Sequence, residues 1–121
     1  MRDTPPSQPR VALLLEDGTR VELRGKERYL VGRRRRSGED VPDVDLRDLP
    51  GGRTVSRRHA LIHVDADGVS IEDLASHNDT LRNGCLLLPH QRYPLADDDE
   101  LSFGSVSLLV KLRGHERKQP G

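Results

Sequence analysis

Ala60-Leu61-Ile62-His63-Val64, then Asp67-Gly68, then Val69-Ser70-Ile71-Glu72-Asp73-Leu74 reads as two short strands joined by a tight turn. Each run is rich in β-favouring aliphatic residues, and Asp-Gly tolerates the positive φ that a close hairpin requires. The same grammar repeats outward in both directions. Val11 to Leu15, Val21 to Leu23, Tyr29 to Gly32, Thr80 to Arg82, Cys85 to Leu88, Glu100 to Phe103 and Val106 to Leu112 are further short runs, with Asp17-Gly18 and Asn83-Gly84 as additional hairpin signals. No stretch holds helical periodicity for ten residues, so the chain is predicted to be all-β.

Composition narrows the function classes. The 121 residues suit one domain with one modest core. No apolar run approaches the roughly 18 to 20 residues that cross a bilayer, and Met1 to Arg10 lacks the apolar stretch of a signal peptide, so a cytoplasmic protein that avoids membranes is expected. One cysteine makes neither an internal disulfide nor a Cys-rich zinc site, and no metal or cofactor is expected. Twenty basic and twenty acidic residues cancel overall but not locally. Residues 33–58 hold eight arginines against five acids, whereas residues 59–112 hold three basic residues against nine acids. The partner is therefore sought at a local anion site in the basic segment.

The proline-rich first nine residues and the polar last nine, 113–121, are expected to be disordered tails around a domain spanning 10–112. From Arg34 to about Arg53 runs a connection of roughly twenty residues, long for a compact domain unless it binds something or is a tolerated insertion.

At the end of the Tyr29 to Gly32 strand, Gly32 permits close backbone approach and Arg33 presents a planar five-donor fork suited to phosphate. Arg34 to Arg36 lack such a fixed mount. Ser56-Arg57-Arg58-His59 precedes the next long strand. A Ser and a His three apart invite a hydrolase reading, but no strained nucleophile elbow or orienting carboxylate accompanies them, so the chain is not expected to be an enzyme. A hydroxyl among arginines suits anion binding, and His59 is assigned to fixing the loop from within. Asn78, in the loop Ser76-His77-Asn78-Asp79-Thr80, either pairs with an extended peptide backbone or closes an Asx-turn on its own chain. Cys85, in an apolar run, is expected to be a packed thiol.

In order and spacing, Gly32-Arg33, Ser56-Arg57-Arg58-His59, Ile71-Glu72-Asp73-Leu74 with Ser76, Asn78-Asp79-Thr80, Asn83-Gly84, and Leu95 through Phe103-Gly104 resemble the forkhead-associated (FHA) domain, a phosphothreonine-peptide-binding family. The resemblance spans about residues 11–112. It implies a two-sheet antiparallel β-sandwich of about eleven strands, with recognition loops at one end. Residue by residue, it implies that Arg33 and Ser56 hold the phosphate, that Arg57 adds a phosphate or peptide contact, and that Asn78 holds the peptide backbone. It further implies that His77 contributes to the phosphothreonine pocket, that Asn83 reads side chains beyond it, and that Gly32 and His59 are structural. The implied role is a monomeric adaptor in Ser/Thr kinase signalling.

Two positions depart from the family pattern. Asp79 stands where the family usually has Gly, and Asp97-Asp98-Asp99 replaces its Asp-Gly-Asp turn. Asp79 places a negative charge beside the expected phosphate site, which favours the alternative of a docking scaffold that has lost phosphopeptide binding. Nucleic-acid binding through Arg33 to Arg36, Arg53, Arg57 and Arg58 is the other alternative. Two Tyr, one Phe and no recognition helix give it little stacking or groove-reading surface. Thr4-Pro5 is a candidate phosphorylation site in the N-terminal tail.

Overall fold

The structure, a computed structural model, describes residues 9–113. Except for Pro9 and Arg113, the expected tails, Thr4 included, lie outside the described residues. Eleven strands follow one another: β1 (Arg10–Leu15), β2 (Arg20–Leu23), β3 (Arg28–Gly32), β4 (Val44–Asp45), β5 (Arg58–Asp65), β6 (Gly68–Asp73), β7 (Thr80–Arg82), β8 (Cys85–Leu86), β9 (Arg92–Pro94), β10 (Glu100–Phe103) and β11 (Val106–Arg113). A 3-10 turn, Gly52–Thr54, precedes β5.

The strands form a six-stranded sheet ordered β2-β1-β11-β10-β7-β8 and a five-stranded sheet ordered β4-β3-β5-β6-β9. Named neighbours pair antiparallel except β3 with β4, a two-residue parallel contact. Alternation places one face of each sheet inward. Along β11, Val106, Leu108 and Val110 are buried, while Leu109 between them is exposed. They meet Leu13 of β1, Leu101 and Phe103 of β10, and Ile62 and Ile71 of the facing sheet. Full burial of such side chains contributes about 1.5 to 3 kcal/mol each. Among the described residues, no helix is long and apolar enough to cross a membrane.

The long connection is largely part of the fold. Val44, Leu46 and Val55 are buried, and the Leu46 amide donates to the Gly32 carbonyl at 2.9 Å. Arg34 corrects the reading that it lacks a fixed mount, because its guanidinium bonds Asp45 at 2.7 Å and Asp48 at 3.1 Å. Burial opposes ionisation of Asp45. The Arg34 side chain and the Arg34 and Arg47 amides outweigh that opposition and hold its carboxyl below the ordinary value of 3.8. Cys85 is a second correction: its strand is a sheet edge two residues long, and the thiol is exposed.

One irregularity prepares the site. Val31 pairs with Ala60 and Gly32 with Arg58, so His59 is an extra residue on β5, a β-bulge. A bulge lets two successive residues point inward where strict alternation forbids it. His59 and Ala60 are both 0% exposed as a result.

Candidate functional site

Arg33 follows the last residue of β3, where Gly32 lies against the chain entering β5. A Cβ at position 32 would sit 1.9 Å from the Arg57 carbonyl oxygen, so no other residue fits without backbone movement. The Arg33 amide donates to that carbonyl at 3.3 Å, and Arg33 Nε donates to the Val55 carbonyl at 2.7 Å. The guanidinium is anchored through one nitrogen, and its two Nη groups have no partner among the described residues.

His59 joins the loops above it. Its Nδ1 accepts the Ser56 amide at 3.0 Å, which requires that nitrogen to be unprotonated, so Nε2 carries the proton and donates to the Asp79 carbonyl at 2.8 Å. Its ring meets Phe103 edge-on at 5.5 Å. Burial disfavours the imidazolium and pushes the His59 pKa below its ordinary value of 6.5, against opposing help from the Asp79 carbonyl. Nδ1 is bonded to the Ser56 amide and not to its hydroxyl, so the imidazole does not address Ser56 Oγ as a base.

Ser56 Oγ accepts the His77 amide at 3.0 Å, and Asn78 Nδ2 donates to the Thr54 carbonyl at 2.9 Å. Thr54 Oγ1 accepts the Ser105 amide at 2.8 Å, and the Gly104 amide donates to the Asp79 carbonyl at 3.2 Å. Four connections thereby meet at one end of the sandwich: β3–β4, β4–β5, β6–β7 and β10–β11. Below them, the buried Asp73 carboxylate accepts from the Ser76 and Thr80 hydroxyls, each at 2.6 Å, and fixes the loop between β6 and β7. Asp79 adopts φ of 69°, the left-handed conformation that glycine accepts most readily, and its side chain is exposed.

Arg33, Ser56, Arg57, His77 and Asn78 are thus brought together, with Gly32 and His59 beneath them. Arg57 is exposed and has no carboxylate partner among the described residues. Asn83 is not brought to this cluster. It occupies the turn at the opposite end of β7, at φ 50°, where Nδ2 donates to Asp99 at 2.9 Å and Oδ1 accepts the Glu100 amide at 2.8 Å. Both functions of that amide serve the turn beside β10. Sequence reasoning did not single out Thr54 or Asp45. Thr54 bonds partners 51 and 24 residues away, Ser105 and Asn78, so no local signal marks it. For Asp45, the signal was the nearby excess of arginine. Among the described residues, no group of three His, Cys, Asp or Glu side chains is arranged to hold a metal ion.

The stability of the His59 arrangement should depend on pH. Above pH 6.5 the ring is neutral in both states and costs nothing. Below it the unfolded chain takes up a proton that the folded chain resists, so stability is lost as pH falls from 6.5 toward the lowered folded value. The loss is at most about 1.4 kcal/mol per pH unit. Thermal melts between pH 7 and 5 are expected to show a falling midpoint in the wild type and a flatter one in His59→Gln. Parallel slopes would remove His59 as the titrating group.

The FHA domain family matches residues 29–104. Protein FraH of Nostoc sp. is 39% identical over 71 residues, covering 59% of this chain and 25% of FraH, so the chain spans about a quarter of that curated relative. An FHA domain from work on phosphothreonine-dependent FHA domain interactions superposes with a TM-score of 0.70 at 29% identity, over 87% of this chain and 98% of that one. The FhaA FHA domain, solved with the intracellular domain of Rv3910, gives 0.67 at 30% identity over 84% and 99%. The FHA domain of CT664 from Chlamydia trachomatis gives 0.68 at 26% over 87% and 97%. The family match covers more than half of the chain, and the two-sheet sandwich agrees with the FHA structures that superpose on it: this chain belongs to the FHA domain family.

Proposed function

We propose that this chain is a phosphothreonine-dependent peptide-binding module, with Arg33 and Ser56 as phosphate ligands, Arg57 and His77 beside them, and Asn78 holding the peptide backbone. Support comes from how the three central side chains are tethered. Arg33 is tied through Nε and leaves its Nη pair for two phosphate oxygens; Ser56 Oγ accepts from His77 and keeps its own proton to donate; Asn78 is tied through Nδ2 and keeps Oδ1 to accept a peptide N–H. Phosphothreonine carries about −1.5 to −2 charges and three acceptor oxygens. Threonine offers none of these, so discrimination is a difference in paired charge. The proposed setting is a monomeric cytoplasmic adaptor in Ser/Thr kinase signalling. The test is a screen of oriented peptide libraries carrying phosphothreonine, phosphoserine or unmodified threonine. Selective retention of the first is expected, and equal retention of all three would overturn the reading. Salt-sensitive capture of nucleic acid, indifferent to phosphopeptide, would favour the alternative interface.

Asp79 tunes this site. A carboxylate roughly 6 Å from the phosphate, at an effective dielectric of about 40 to 80, opposes it by about 0.7 to 1.4 kcal/mol per unit charge. Asp79→Gly is expected to raise affinity by up to about tenfold for each unit of phosphate charge, with the gain shrinking as salt rises. The same substitution suits φ of 69° and should also raise the thermal midpoint. Calorimetric titration at two salt concentrations checks this. A loss of affinity at both would make Asp79 a partner contact.

A further inference from the structure

Beyond the loop cluster, on the outer face of the five-stranded sheet, lies a groove of about 610 Å³ lined by Leu30, Arg35, Asp40, Val41, Arg57 and Arg58. Its floor is apolar. Tyr29 and Val31 point into the core, so Leu30 points outward, beside its register partner Leu61 on β5, and both are half-buried. Val41 is 61% exposed, the most exposed of the large hydrophobic residues among those described. It is also held in place from both sides. Arg35 Nε bonds Asp40 at 2.6 Å, while Asp43 accepts the Leu30 amide at 2.7 Å and the Lys26 ammonium at 2.5 Å. The connection between β3 and β4 is therefore tied to the sheet after the solvent-facing valine, through Asp43 and Leu30, and closed on itself before it, through Arg35 and Asp40. On the opposite wall, Arg57 and Arg58 have no carboxylate partner among the described residues.

We infer that this groove receives an apolar side chain, flanked by acidic residues, from the same partner segment that carries the phosphothreonine. The inference rests on the phosphothreonine reading and adds a specificity determinant to it. Continuity supports one occupant, because Arg57 belongs to both the phosphate cluster and the groove wall. Leu30 lies three residues back along β3 from Arg33, about 10 Å, so the apolar residue stands about three extended residues from the phosphothreonine. It is reached over Arg57, on the side away from the Gly104–Ser105 turn. Charge supports the acidic flanks, since the two unpaired arginines frame an apolar floor. A free phosphate has no use for that floor.

The test uses the full chain and synthetic peptides of alanine and serine with a central phosphothreonine, in which one leucine is moved through the five positions on either side. Leucine at one position is expected to raise affinity about fivefold to tenfold over alanine. Val41→Ser should erase that gain and leave the leucine-free phosphopeptide within about twofold of its wild-type affinity. Because Val41 is exposed, the variant is expected to fold, which its melting curve verifies. The inference is overturned if no position shows a gain, or if the gain survives Val41→Ser. If no phosphopeptide binds at all, the phosphothreonine reading itself fails, and this inference with it.

Discussion

Replacing Arg33 by alanine is expected to reduce affinity for a phosphothreonine peptide by at least about a hundredfold, because two charge-assisted hydrogen bonds of about 1.5 to 3 kcal/mol each are lost together. The fold should survive. Only the Nε bond to the Val55 carbonyl leaves the protein itself, at a cost of about 1 kcal/mol, so the thermal midpoint falls by a few degrees while binding disappears. Arg33→Lys separates charge from geometry. Lysine keeps the positive charge but lacks the planar fork, and it should recover less than about a tenth of the lost affinity. Titration calorimetry with one phosphopeptide and its unphosphorylated twin measures all three proteins. Full recovery with lysine would show that Arg33 acts as a diffuse charge, and the anchored-fork account would be wrong.

Gly32→Ala is expected to have the largest effect on stability. The added methyl group would stand 1.9 Å from the Arg57 carbonyl oxygen and 2.8 Å from its carbon, and neither belongs to a side chain that can swing away. Relief requires opening the β3–β5 pairing at the bulge, which also releases the Arg33 amide and displaces His59. A cost of about 3 kcal/mol or more is expected, out of a total stability of about 5 to 15 kcal/mol for a domain of this kind. Melting followed by circular dichroism should show a midpoint lower by about 12 °C or more. Peptide affinity should drop as well, even at temperatures where the variant is fully folded, because the mount of Arg33 has moved. A variant that melts like the wild type would mean that the backbone relaxes cheaply at this point.

Most strands were legible because each carries its own apolar run and turn signal. β4 and β9 carried neither. Val44–Asp45 becomes a strand by pairing with β3 across a connection full of ion pairs, and Arg92–Pro94 pairs with β6 through a segment containing proline and little aliphatic content. Both are made by tertiary contact. The positions of Arg33, Ser56, His77 and Asn78 at one end follow from where the strands stop, and the strand ends were readable. Side-chain direction was not. Whether Asn83 faced a ligand or its own turn depended on Asp99, which reaches it only after β10 has paired with β7. Cys85 misled for a similar reason, since an apolar neighbourhood in sequence became an exposed sheet edge in space.

The hydrogen-bonded network through His59, Asp79, Gly104, Ser105, Thr54 and Asn78 bears on how fast this module acts. Loops that are already joined to one another have little ordering left to do on contact, so association is expected to be a single step, at about 10⁵ to 10⁷ M⁻¹s⁻¹. Partners would then differ mainly in dissociation rate. A phosphatase competing for the same threonine would gain access only when the complex opens, so the lifetime of the complex would set how long the phosphate stays shielded.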